Sequence, residues 1–163
     1  MKKTLPNLVT QGICLRPLGL DDLPLTLAWR NRDDARIWFK NPAIISTEMH
    51  HAWFEGYQRK NSDYVFIIEA GATPVGQASV YNIDMRTGSA EVGRFLAAPE
   101  HRGKGYVNAA CAALLTLCKD YLHLHQLYLE VFSNNLRAIR LYEHHGFLTT
   151  QRQDNLQRME RKL

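Results

Sequence analysis

Three blocks in the middle of the chain are dense in apolar, β-branched and aromatic residues: YVFIIEA (64–70), VGQASVYNID (75–84) and SAEVGRFLA (89–97). The turn-forming GATP and MRTG separate them. Such blocks between such turns predict strands joined by hairpins, hence an antiparallel run. GICLRPL (12–18) predicts an earlier strand, broken by Pro17 and Gly19. In LDDLPLTLAWRNRDDARIWF (20–39) the period changes. Leu20, Leu23, Leu27 and Ala28 follow helical spacing, and Asp21 and Asp22 stand where a helix dipole favours acids. Pro24 fits only within the first turn of that helix. The charged RNRDDAR (30–36) marks one helix ending and a second beginning, and Ser46 caps a further helix over 47–60.

Beyond residue 97, helices and strands alternate. VNAACAALLTLCKDYL (107–122) is apolar almost all round and predicts a buried helix. QLYLEVF (126–132) is a strand, and NLRAIRLYEHH (135–145) is an amphipathic helix stopped by Gly146. FLTTQRQ (147–153) and LQRMERKL (156–163) predict two last strands. The order gives an α/β fold: a mixed, largely antiparallel sheet of about six to seven strands flanked by about four helices.

Composition narrows this picture. A chain of 163 residues fits one domain, 1–163, and 45% hydrophobic with 22% charged residues excludes disorder. Such a chain buries a core without disulfide or metal support. The net charge of +4 is spread along the chain with no basic block, so a nucleic-acid arm is not expected. Cys14, Cys111 and Cys118 are odd in number and show no C-x-x-C spacing. Reduced thiols point to the cytoplasm. MKKTLPNLVT starts like a signal peptide but reaches Pro6 and Asn7 before any apolar core. No run approaches the ~18 apolar residues of a membrane span. No Cys/His cluster has metal-ligand spacing, so no metal is expected.

The chemistry begins at PEHRGKGYVNAA (99–110). Gly103 and Gly105 let the backbone bend and approach a ligand between a strand and a helix. The helix's first N–H groups have no internal partner and carry its positive dipole end, which makes an anion seat. The stretch is neither a Walker A loop nor a dinucleotide G-x-G-x-x-G. A plain strand–helix turn is the alternative.

RGKGYV resembles the R-x-x-G-x-G/A signature of the GNAT-type N-acetyltransferases, and NLRAIRLYEHHGF (135–147) resembles their N-x-x-A-x-x-L-Y-x-x-x-G-F segment. SAEVGRFLAAPEHRGKG and LRPLGLDDLPLTLAWRN are similar to other parts of that family's chain, so the resemblance runs from about residue 12 to 163. It implies a single-domain GNAT fold and acetyl-CoA as cofactor. The implied pyrophosphate loop is Arg102, Gly103, Lys104, Gly105, Tyr106 and Val107. Val107 departs from the pattern, which takes Gly or Ala; valine crowds the closest approach but keeps its N–H. Leu96 and Ala97 end the strand implied to run beside the pantetheine arm.

The resemblance also implies roles. Tyr142 matches the tyrosine that protonates the departing thiolate, a task that suits a phenol because it is neutral at pH 7. Asn135 matches an asparagine that bonds the pantetheine, and a helix cap is its other reading. A base is useful to the attacking amine, and a backbone N–H to the oxyanion that forms. Glu91, mid-strand, is the expected base, with Glu130 as its rival. The acceptor pocket is expected in the first half, at Trp29, Arg30, Asn31 and Trp53. Three acceptors stand open there. A nucleotide-linked amino sugar comes first, stacked on aromatic rings with Arg30 on its diphosphate. A protein N-terminus comes second. A polyamine comes last, because residues 43–60 offer only Glu48 and Glu55. A non-catalytic acyl-CoA sensor is the alternative to an enzyme. The partners expected are an amine substrate and no nucleic acid or membrane, with a homodimer as the assembly considered.

Overall fold

The computed structural model describes residues 2–163. Eight strands form one sheet in the order β1-β2-β3-β4-β5-β6-β8-β7. They are β1 (Leu8–Thr10), β2 (Ile13–Pro17), β3 (Asp63–Ala70), β4 (Thr73–Asp84), β5 (Ser89–Ala97), β6 (Gln126–Phe132), β7 (Leu148–Gln153) and β8 (Leu156–Lys162). The sheet exceeds the six to seven strands expected because β1 is a three-residue edge strand, too short to leave a periodic signal. It is joined to β2 by Gln11 and Gly12, both at positive φ (49° and 78°), the geometry of a tight hairpin.

Alternation along β3 decides the two layers. Tyr64, Phe66 and Ile68 face one side; Val65 and Ile67 face the other. The first side is covered by α4 (Tyr106–Thr116) and α5 (Leu136–His144), packed with Leu114, Leu127, Leu129, Ile139, Phe147 and Met159. The second is covered by α1 (Leu23–Arg30) and α3 (Thr47–Gln58), through Leu18, Leu23, Phe54 and Tyr57. Between them, α2 (Asp33–Arg36) is a single turn. Pro24 lies in the first turn of α1, and Ser46 caps α3 by accepting a hydrogen bond from the Met49 N–H at 3.1 Å. α4 is buried over most of its surface, and a wider π-helical turn (Leu117–Tyr121) continues it, closed by the Leu122 N–H on the Leu117 carbonyl. Cys111 and Cys118 are free and buried on this helix, and burial pushes the Cys111 thiol up to about 12. No helix among the described residues is long and apolar enough to cross a membrane.

Every neighbouring pair is antiparallel except β5–β6, which runs parallel over only three pairs: Ser89↔Gln126, Ala90↔Leu127 and Glu91↔Tyr128. After Glu91 the strands part. Val92–Ala97 then pairs only with β4, and Leu129–Phe132 only with β8. A bulge accompanies the parting. Ser79 faces Gly93 while Gln77 faces Leu96, so β5 carries one residue too many, and Arg94 sits at φ 52° within it. A bulge bends its strand, and here the bend lies on the side where the sheet opens.

Candidate active site

The opening between β5 and β6 is a cleft of about 1110 Å³. Its walls are residues 92–97 of β5 and 130–132 of β6; residues 101–103 and 105–108, α5, Arg30 and part of the stretch 34–41 close its other sides.

At one end lies the glycine loop. Gly103 and Gly105 have φ of 75° and 80°, and no atom lies within 4 Å of a Cβ built on either. The left-handed backbone, rather than crowding within the protein, is what calls for glycine. Gly105 immediately precedes α4, and its carbonyl receives the first helical bond from the Ala109 N–H at 3.0 Å. The N–H groups of Tyr106, Val107 and Asn108 therefore have no partner in the helix and open toward the cleft. Tyr106 and Val107 are half-buried and line it. Arg102 lines it too, but its guanidinium is held by Asp34 at 2.6 Å, a contact that keeps the Asp34 carboxyl far below the usual carboxylate range. Lys104 is exposed at the apex and is not among the lining residues, so the loop's cationic side chains are less available than the sequence suggests.

Leu96 and Ala97 line the β5 wall. Asn135 lines the cleft and caps α5, accepting from the Ala138 N–H at 3.3 Å, so its cap reading is met at a cleft position. Tyr142 is buried on the inner side of α5, 6.1 Å from the Phe95 ring and 5.9 Å from the Phe147 ring, with its edge on the cleft. Burial, with a smaller push from Cys111, drives its phenol well above the ordinary value.

Glu91 stands at the last paired position before the strands part. Its carboxylate accepts from the Tyr81 hydroxyl at 3.1 Å and from Asn82 Nδ2 at 3.0 Å. Arg94 lies 3.8 Å over the Tyr81 ring and pairs with buried Asp63 at 3.2 Å. Burial, and then Glu91 itself, push the Tyr81 phenol upward. Tyr81, Asn82 and Arg94 belong to no motif of the sequence. Their convergence depends on two bulges, one in β4 with Asn82 at φ 49° and one in β5, and register shifts leave no period to read. Glu130 also lines the cleft, paired with Lys40 Nζ at 2.8 Å.

The expected acceptor residues divide. Arg30 lines the cleft: its Nη2 donates to the Asn41 carbonyl at 2.6 Å, it lies 4.2 Å over the Phe39 ring, and its buried Nη1 has no partner among the described residues. Trp29, Asn31 and Trp53 do not line it. Trp29 is buried against Leu96 and Ala98, behind the β5 wall. Asn31 exchanges two hydrogen bonds with the Ile45 backbone. Trp53 is stacked between His50 and Tyr57 on α3. Helical phase explains the exchange: residues adjacent to Arg30 point elsewhere, and exposed Trp38 takes the aromatic position on the cleft instead.

The profile of the acetyltransferase (GNAT) domain matches residues 13–148. The chain belongs to the GNAT acetyltransferases. It is 30% identical to the spermidine N(1)-acetyltransferase of Vibrio cholerae serotype O1 over 72% of this chain and 68% of that one. The Escherichia coli K12 spermidine N(1)-acetyltransferase is 28% identical over 83% and 73%. The structure of the Vibrio cholerae spermidine N-acetyltransferase in complex with CoA and spermine superposes with a TM-score of 0.86 at 25% identity, covering 94% of this chain and 96% of that one. A dodecameric form of that enzyme gives 0.77 at 25%, covering 94% and 95%. This GNAT chain is an acetyl-CoA-dependent N-acetyltransferase with the family's α/β fold. Its own residues fit the cofactor: two left-handed glycines, a helix start with unpaired N–H groups and an open strand edge meet in one cleft.

Proposed function

We propose that this acetyltransferase acts on a primary amine of a small molecule, by direct attack, with Tyr142 and Glu91 at the reacting centre. One observation carries the reading: both groups face the cleft that opens where β5 leaves β6. Acetyl-CoA supplies an acetyl thioester. The Tyr106–Asn108 N–H groups hold its pyrophosphate, and the unpaired edge of Val92–Ala97 offers backbone donors and acceptors to its pantetheine amides. Glu91, fixed by Tyr81 and Asn82, takes the proton the amine must lose, directly or through water. Tyr142, which burial holds protonated, gives that proton to the sulfur as the C–S bond breaks and is reprotonated from solvent afterwards. Its hydroxyl has no hydrogen bond within the described residues, so it is free for that task.

Spermidine or spermine is the acceptor placed first. Support comes from the named substrates of the relatives and from two cleft carboxylates, Glu91 and Glu130. A second reading, a nucleotide-linked amino sugar, is favoured by the unpartnered Arg30 Nη1, a donor suited to a diphosphate. Assembly into a homo-oligomer belongs to the same proposal. The test is acetyl-CoA with a panel of polyamines, peptides and nucleotide-linked amino sugars, followed by release of free thiol. Tyr142→Phe is expected to keep acetyl-CoA binding while kcat falls about 100-fold. Unchanged kcat would remove Tyr142 from the mechanism, and no thiol release with any polyamine would remove the first acceptor.

A further inference from the structure

Glu130 and Lys40 form an ion pair that neither the fold nor the glycine loop requires. Glu130 stands two residues past Tyr128, the partner of Glu91 across the parallel pair. Side chains two apart on a strand share a face, so Glu91 and Glu130 present carboxylates to one side of the sheet from opposite walls of the cleft. One inter-strand spacing and two residues along the strand put them about 8 Å apart at the backbone, and the parting of the strands widens this. Glu130 is the one acid on its wall: Val131 and Phe132 follow it. Arg158, its register partner on β8, lies over the Tyr128 ring at 4.0 Å and bonds Glu160 at 3.3 Å. The carboxylate is left with the ammonium of Lys40, which reaches it from 90 residues away.

We propose that Glu130 is a second cation subsite, the place of the acceptor's distal ammonium, and that Lys40 occupies it until the acceptor arrives. This rests on the polyamine reading above and adds to it a residue that sets preference for diamines over monoamines. The exchange is easy. The Lys40 side chain is 62% exposed, an exposed pair of this kind is weak, and replacing one ammonium by another leaves the charge on Glu130 unchanged. The displaced lysine returns to water and regains its rotamer freedom. Lys40 thus competes with every diamine, and leaves a monoamine bound at Glu91 alone uncontested.

The test compares a linear polyamine, spermidine, with a monoamine of similar length, using purified full-length protein. The readout is the ratio of their kcat/KM values. Glu130→Gln is expected to lower that ratio about tenfold, mainly through a higher spermidine KM. Lys40→Met is expected to raise it severalfold through a lower spermidine KM. The double variant is expected to behave as Glu130→Gln, since the lysine has nothing left to mask. Equal losses of kcat for both amines in Glu130→Gln would make Glu130 a general base and overturn the proposal, as would ratios unmoved in both single variants. A wild-type enzyme that turns over the monoamine and no polyamine overturns the acceptor reading together with this subsite. Normal spermidine turnover with unmoved ratios sinks the subsite alone. Glutamine is isosteric with glutamate and residue 40 is exposed, so thermal melts of the variants should match wild type; a collapsed Glu130→Gln leaves Lys40→Met to decide.

Discussion

Tyr142 lies in an apolar pocket between Phe95 and Phe147, and that setting decides its proton. Desolvation penalises the phenolate, so the group stays protonated to a higher pH than a free tyrosine. An amine acceptor gains reactivity as it loses its own proton. The rate with a fixed acceptor should therefore show no falling limb from tyrosine ionisation through about pH 10, where an unperturbed phenol is already half ionised. A pH–rate profile for kcat carried past pH 10 checks this, and a decline centred at or below about 10 would contradict it. At this scale the sequence was legible where a motif fixed the spacing. Tyr142, Asn135, Gly103 and Gly105 all line or shape the cleft. It was illegible where contact depends on folding: the motif puts Arg102 in the pyrophosphate loop, but nothing in it shows that Asp34, 68 residues away, holds the guanidinium. Trp29 and Trp53 were read as substrate-facing because composition cannot tell a stacking platform from a core filler.

The start of α4 shows what one backbone angle does for an element. Gly105 takes φ 80° immediately before the first helical residue, and a side chain there would meet no neighbour. Gly105→Ala should therefore cost about 1–2 kcal/mol of strain alone, and part of that cost falls on the loop, weakening acetyl-CoA binding. Gly56 provides a contrast of opposite sign. It lies within α3, at ordinary helical φ, with open space around its Cβ. Gly56→Ala should stabilise by about 0.5–1 kcal/mol through helix propensity. Thermal melts of the pair, with an acetyl-CoA titration of the first, measure both. Equal effects of the two would mean that left-handed geometry is not what the loop needs. Most elements were legible because each carries its own period: β5 and β6 have the bounds their patterns predict, and the apolar run 107–122 is filled by α4 together with the π-helical turn that continues it to Tyr121. β1 was not, being only three residues long, whereas the division of 20–39 that RNRDDAR marks is met by α1 ending at Arg30 and α2 starting at Asp33.

For the whole molecule, the main fact is that the sheet's two halves meet through three residue pairs. A cofactor bound as proposed, between β5 and β6, would join them, and only in the folded state. At a hundredfold excess over its dissociation constant, binding adds about 2.7 kcal/mol, which for a chain of this size raises Tm by about 5–10 °C. Amide exchange should slow most in 92–97 and 129–132, the strand segments that face each other without pairing. Stabilisation without protection there would place the cofactor elsewhere. The parting of β5 and β6 was not written in either strand's sequence, since both read as ordinary strands. It emerges only from the register that the bulges set.

That parting also changes how many edges the sheet presents. An eight-stranded open sheet normally has two. This one has its outer strands β1 and β7 and, in addition, two inner stretches with unpaired backbone groups. Unpaired edges are templates for foreign strands, and proteins usually blunt them with charge or proline. Here Val92–Ala97 carries one charge, Arg94, turned onto Tyr81 and Asp63, and no proline. With the cofactor bound as proposed, those inner edges are covered, so protein stripped of acetyl-CoA is expected to aggregate faster than cofactor-bound protein, which light scattering of the two forms would measure.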